Sequence, residues 1–189
     1  MNYLIIHGNP KDDGICHSLM EEVIRGAKDG GANVQVLSAN DIPRCRMCDD
    51  GWGVCYKGHN CVFGDDDGFN EAQSTVKTAD AICIISPVYW WEVSESLKAF
   101  LDRIRRCENW LGGHVGALNG KSVLLIATAG GSGNGILPCL DQMDRFCKHT
   151  EAKAFDYLGV NRWNQDYMRA AAYTAAKAMA EGRKHGDTV

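Results

Sequence analysis

Five short strand-like runs separated by amphipathic stretches restrict this chain more than any other feature. The runs are Tyr3–His7, Asn33–Leu37, Ala81–Ile85, Val123–Ala127 and Lys153–Tyr157. Three of them, Tyr3–His7, Ala81–Ile85 and Val123–Ala127, are apolar on both faces. Strands read that way when helices cover both sides of a parallel sheet. The stretches Ser18–Lys28, Phe69–Lys77, Ser94–Arg106, Ile136–His149 and Tyr167–Ala180 have helical periodicity; in the third, Leu97, Phe100, Leu101 and Ile104 fall on one side. The alternation predicts an α/β, doubly wound, five-stranded parallel sheet. Right-handed crossovers make 2-1-3-4-5 the leading strand order. No repeat or linker interrupts the pattern, so residues 1–189 are expected to form a single domain with a cysteine-rich insertion loop at about 38–67.

Composition removes several classes of function. The net charge is −4. A broad nucleic-acid surface or an anionic membrane surface needs a basic excess, so neither partner is expected. No apolar run approaches the roughly 18–20 residues of a membrane span, and the first residues read as a core strand rather than a secretory signal. A cytoplasmic location is therefore expected. In that compartment the nine cysteines should stay reduced, and an odd number argues against a closed disulfide framework.

In such a sheet, ligands bind beyond the carboxyl ends of the strands, where the strand order reverses. Three loops fall there. The first, His7–Ser18, leads a strand into a helix N-terminus, whose free N–H groups attract an anion such as phosphate. Gly8, Asn9, Lys11, Cys16, His17 and Ser18 are its candidate contacts, while Asp12 and Asp13 should face solvent. The spacing is neither that of a P-loop nor that of a dinucleotide fingerprint. The second loop carries Pro87, Val88, Tyr89, Trp90 and Trp91, against which a planar ligand could lie; the plain alternative is aromatic packing under a helix. The third, with Thr128, Ala129, Gly130 and Gly131, allows close backbone approach, or is a simple flexible connection.

Together these loops resemble those of the NADPH-dependent FMN reductase and iron–sulfur flavoprotein family, whose fold is flavodoxin-like. The most specific match is Ser86-Pro87-Val88-Tyr89-Trp90 followed by Leu97-Lys98-Ala99-Phe100-Leu101-Asp102-Arg103. The resemblance runs from Met1 to about Gly135. It implies an FMN-dependent oxidoreductase that passes electrons from NAD(P)H to a quinone, flavin, nitro compound or protein acceptor. Tyr89 and Trp90 are then the candidate catalytic residues, shaping the site over the ring. It also implies a homo-oligomer, dimer or tetramer. Asn9, Ile15 and Cys16 stand where the family has hydroxyl or amide side chains, and Lys11 stands where it has arginine. Phosphate binding should thus lean on backbone amides. Trp91 stands in place of a small residue.

The alternative is an FMN/iron–sulfur electron-transfer protein carrying single electrons between protein partners. It depends on Cys45, Cys48, Cys55 and Cys61, a C-x2-C-x6-C-x5-C run whose density suits metal ligation. Three readings stand side by side: reduced thiols in a cover loop, an iron–sulfur cluster, or zinc. A cluster is expected near the flavin, because a long loop after the second strand can reach the carboxyl edge of the sheet. Cys83, Cys107, Cys139 and Cys147 read as small buried hydrophobes.

Overall fold

The computed structural model describes residues 1–109 and 113–184. Residues 110–112 and 185–189, included in the expected single domain, lie outside this description. The elements follow the alternation in the sequence. They are β1 (Asn2–His7), α1 (Gly14–Asp29), β2 (Asn33–Ser38), α2 (Cys55–Gly58), α3 (Phe69–Thr78), β3 (Ala81–Pro87), α4 (Glu95–Cys107), β4 (Ser122–Ala129), α5 (Ile136–His149), β5 (Lys153–Asn161) and α6 (Gln165–Ala180). All strand pairs are parallel, in the order β2-β1-β3-β4-β5. That is the expected 2-1-3-4-5 order.

Strand periodicity sorts the core into two layers. Leu4, Ile6, Ile82, Ile84, Val123 and Leu125 face α3, α4 and α5, where Phe69, Phe100, Ile104 and Met143 complete the packing. Their chain neighbours Tyr3, Ile5, Cys83, Ile85, Leu124 and Ile126 face α1 and α6, against Leu19, Val23 and Ala176. This is why the central strands are apolar throughout: each successive residue enters a different core. Cys83, Cys107, Cys139 and Cys147 are buried as expected.

Three boundaries differ from the sequence reading. α1 starts at Gly14 rather than Ser18, because Cys16 joins Leu19 and Val23 on its buried face. β5 continues to Asn161, carried by Leu158 and Val160, which are both buried. Gly159 permits this: a Cβ there would sit 2.6 Å from Ile136 Cγ2 of α5. The one-turn helix α2 lies inside the cysteine loop, where the sequence suggested only a connection.

Candidate functional site

β1, β3 and β4 end side by side, His7 pairing with Ile85 and Pro87 with Thr128 in the register. Their loops are locked together. The Gly8 N–H donates to Ile85 O at 3.3 Å and the Val88 N–H to Thr128 O at 2.8 Å. A Cβ on Gly8 would lie 2.0 Å from Ser94 Oγ and 2.7 Å from Leu97 Cβ, so this glycine lets the first loop abut the start of α4. A cavity of about 220 Å³ opens between Val88, Trp90 and Trp91 on one side and Ala129–Asn134 on the other. Around Gly130 and Gly131 the space is open.

The first loop presents few side chains to an anion. The Asn9 carboxamide folds back to donate to Lys11 O at 2.5 Å, and Asn9 O accepts from Asn40 Nδ2 at 2.7 Å. The Ser18 hydroxyl donates to Ile15 O, and His17 lies 3.4 Å from Glu21. The Cys16 thiol points into the core beside Thr128, and burial pushes its pKa up to about 12. Its side chain is a packing group in this structure. Lys11, Asp12 and Asp13 are exposed. Asp13 precedes α1 without capping it, so the first amides of the helix have no side-chain cap. The fit to a phosphate therefore rests on those amides and on Lys11.

The second loop turns sharply. Tyr89 and Glu92 exchange both backbone hydrogen bonds, at 2.9 and 3.0 Å. The two residues between them, Trp90 and Trp91, have φ of 48° and 74°. A two-residue hairpin with both φ positive is the primed type that favours Asn-Gly. Left-handed backbone costs roughly 1–2 kcal/mol per non-glycine residue. Trp90 is 94% exposed and Trp91 56%, so burial recovers little of that cost. The helix starts at Ser94 as expected, with Ser94 immediately before α4; its N–H donates to Ser86 Oγ, while its own buried hydroxyl caps no amide and has no partner among the described residues.

The cysteine loop runs elsewhere. α4 starts at the carboxyl edge and extends for 13 residues, about 20 Å. Three of its thiols, Cys48, Cys55 and Cys61, lie along its second half. Arg103 Nη1 donates to Pro43 O at 2.6 Å, and Nη2 reaches Cys61 Sγ at 3.3 Å. His59 Nδ1 lies 3.0 Å from Cys107 O. Cys48 Sγ and Cys55 Sγ flank Gly53 beside Arg106: a Cβ on that glycine would lie 3.5, 3.4 and 3.0 Å from them. Cys45 is exposed, its sulfur facing the Met47 N–H. Among the described residues, no group of three or more His, Cys, Asp or Glu is arranged to hold a metal ion. Arginine guanidinium groups stand beside three of the sulfurs, Arg103 at Cys61 and Arg106 at Cys48 and Cys55. Arg103 ties the loop to the far half of α4, which holds Cys48, Cys55 and Cys61 there.

What the loop does build is an activated thiol. A hydrogen bond from the Cys107 thiol, aided by Arg106, lowers the Cys55 pKa to about 6, and the same contact pushes Cys107 upward. Cys55 should therefore carry more thiolate at neutral pH than an ordinary cysteine. Iodoacetamide should modify it before any buried cysteine, with a midpoint below the roughly 8.5 of a free thiol. Cys55→Ser should remove that fast phase. A single slow phase in the wild type would contradict the thiolate.

Sequence reasoning missed Asn40 and Gln142, whose amide oxygen accepts from the Val93 N–H at 2.9 Å. They brace the loops from distant elements, and nothing local marks them. It also read Cys107 as packing alone.

A family model described as NADPH-dependent FMN reductase matches residues 1–154. An iron–sulfur flavoprotein of Archaeoglobus fulgidus is 28% identical over 130 residues, covering 66% of this chain and 54% of the relative. The chain thus spans about half the length of that curated relative. Among solved structures, one described as a quinone reductase from Klebsiella pneumoniae superposes with a TM-score of 0.71 at 19% identity, covering all of this chain and 91% of the other. A flavodoxin from the domain Archaea superposes with a TM-score of 0.64 at 14% identity, covering 96% and 97%. At these identities the structural likeness shows the fold alone, a flavodoxin-like one.

Proposed function

The chain belongs to the NADPH-dependent FMN reductase family, and from that premise we propose that it is an FMN-dependent oxidoreductase taking electrons from NAD(P)H and delivering them to a small acceptor such as a quinone or nitro compound. The observation that carries this reading is the closed group of three loops at the sheet's carboxyl edge, with an uncapped helix N-terminus at one end and an open glycine-walled cavity at the other. Bound FMN would supply the hydride and electron chemistry, accepting from one substrate and releasing to the next. The α1 amides and Lys11 would hold its phosphate. The Pro87–Trp91 and Thr128–Gly131 backbones would border its ring, Gly130 and Gly131 allowing close approach. Val88 and Ala129 supply the apolar part of the wall.

The single-electron carrier reading has less support in this fold. It needs a cluster near the flavin, whereas Cys48, Cys55 and Cys61 sit along the far half of α4 beside Arg103 and Arg106.

Cofactor extraction and chromatography test the proposal. FMN is expected, and FAD, or no flavin binding at micromolar concentration, would contradict it. Lys11→Ala should weaken FMN about ten- to hundredfold, as for a charge-assisted hydrogen bond worth about 1.5–3 kcal/mol. Because Lys11 is exposed, the loss should shrink in high salt. Unchanged affinity would assign the phosphate to backbone amides alone.

A further inference from the structure

We propose that Cys55 and Cys107 form a dithiol oxidation site, at which a small hydroperoxide oxidises Cys55 and Cys107 closes the product to a disulfide. The reaction uses no flavin, so its test is independent of the reductase reading above.

The two cysteines are held together. Their thiols are in hydrogen-bond contact. One residue also bridges their backbones: the His59 N–H donates to Cys55 O at 2.8 Å, and His59 Nδ1 lies 3.0 Å from Cys107 O. His59 is itself fixed. Its ring stacks on His114 with centroids 3.5 Å apart, and its carbonyl accepts from Gln73 Nε2 at 3.0 Å. The start of α2 therefore stays against the last residue of α4.

Charge and access then set the two sulfurs apart. A Cβ on Gly53 would lie 3.0 Å from Arg106 Nη2 and 3.4 Å from Cys55 Sγ, so guanidinium and sulfur flank the same glycine. A neighbouring positive charge favours the thiolate, which is the nucleophile. Cys55 is half-buried, whereas Cys107 is 1% exposed. A cavity of about 800 Å³ opens on this side, lined in part by Gly53, Tyr56, Arg105 and Arg106. A small oxidant entering there meets Cys55 first and finds Cys107 sheltered behind it. An accessible, activated thiol poised beside a second thiol is the arrangement of cysteines that oxidise reversibly.

In the first step the Cys55 thiolate attacks one peroxide oxygen. An S–O bond forms, the O–O bond breaks, and the departing alkoxide or hydroxide takes a proton from solvent. The sulfur loses two electrons and the peroxide gains them. In the second step the Cys107 sulfur attacks the sulfenic sulfur of Cys55. The S–S bond forms, the S–O bond breaks, and the hydroxyl leaves with the Cys107 proton as water. Two thiols and one hydroperoxide thus give one disulfide, one water and one alcohol, or a second water from hydrogen peroxide.

The test treats the reduced, desalted protein with a single equivalent of hydrogen peroxide, then alkylates and maps the cysteines. Two of the nine should be lost, in one Cys55–Cys107 pair that dithiothreitol reopens. Cys55→Ser should slow thiol loss roughly tenfold or more, since the buried thiols that remain are inert. Cys107→Ala should leave Cys55 as a sulfenic acid that dimedone labels, where wild type labels little. If that variant fails to fold, the wild-type map still decides. A Cys48–Cys55 bond would overturn the pairing. Thiol loss spread over the exposed cysteines, or an unchanged rate in Cys55→Ser, would overturn the site. So would iron or zinc in the purified protein that shields Cys55 from peroxide, which would make that thiol a metal ligand.

Discussion

Arg103→Ala should lower the unfolding free energy by about 3–5 kcal/mol, the penalty for stranding one member of a buried ion pair. Arg103 Nη2 lies 3.1 Å from Asp67 Oδ2, and both side chains are almost completely buried. Burial opposes the guanidinium charge, but hydrogen bonds to Asp67 and Cys61 outweigh it and hold the pKa above its ordinary value. The same group binds Pro43 O and lies over the Phe69 ring, 4.0 Å from its centroid. Asp67 also accepts from the Phe69 N–H at the start of α3. One side chain thus ties α4, α3 and the cysteine loop together. Urea titration would show a large drop in midpoint. Asp67→Asn in an Arg103→Met background should recover much of the loss, since it removes the stranded charge. A change below about 1 kcal/mol, the typical value for an exposed pair, would contradict the account.

Gly8→Ala should impair both stability and FMN binding. An added methyl would meet Ser94 Oγ at 2.0 Å and Leu97 Cβ at 2.7 Å, both on the first turn of α4 or just before it. Either the first loop or the start of α4 must move. Overpacking of this kind costs about 1–3 kcal/mol. Displacing the phosphate loop should weaken FMN at least tenfold, comparable to losing one charge-assisted hydrogen bond. Ser94→Gly in the Gly8→Ala background removes the nearer clash and should restore part of both losses. Unaltered affinity in Gly8→Ala would mean that the first loop does not hold the cofactor.

The sheet was legible because its information is local. Ile82, Ile84, Cys83 and Ile85 read as a fully buried strand from their own identities, and alternation with helices then fixes the order. The loop residues were legible as a group for the same reason: they follow the carboxyl ends of β1, β3 and β4. Their individual roles were less so. Cys16 looked like a loop residue, yet the helix begins at Gly14 and turns its sulfur inward. Asn9 looked like a phosphate contact, yet its carboxamide closes its own loop. The cysteine loop was the least legible part. Its path is set by Arg103, 60 residues beyond Pro43, and by Cys107 beside Cys55. A spacing pattern carries no information about such long-range partners. The Trp90–Trp91 turn shows the opposite case, where a local rule is broken. Two tryptophans would not be placed in a primed turn on propensity, and violations of that kind concentrate at functional sites.

The most direct test is anaerobic rapid mixing of the FMN-loaded protein with NADPH and, in a separate run, with NADH, following the flavin absorbance. The account predicts fast bleaching with at least one of the two, and recovery of the colour when a naphthoquinone is then added. Flavin colour that persists in the presence of both nicotinamides would contradict it.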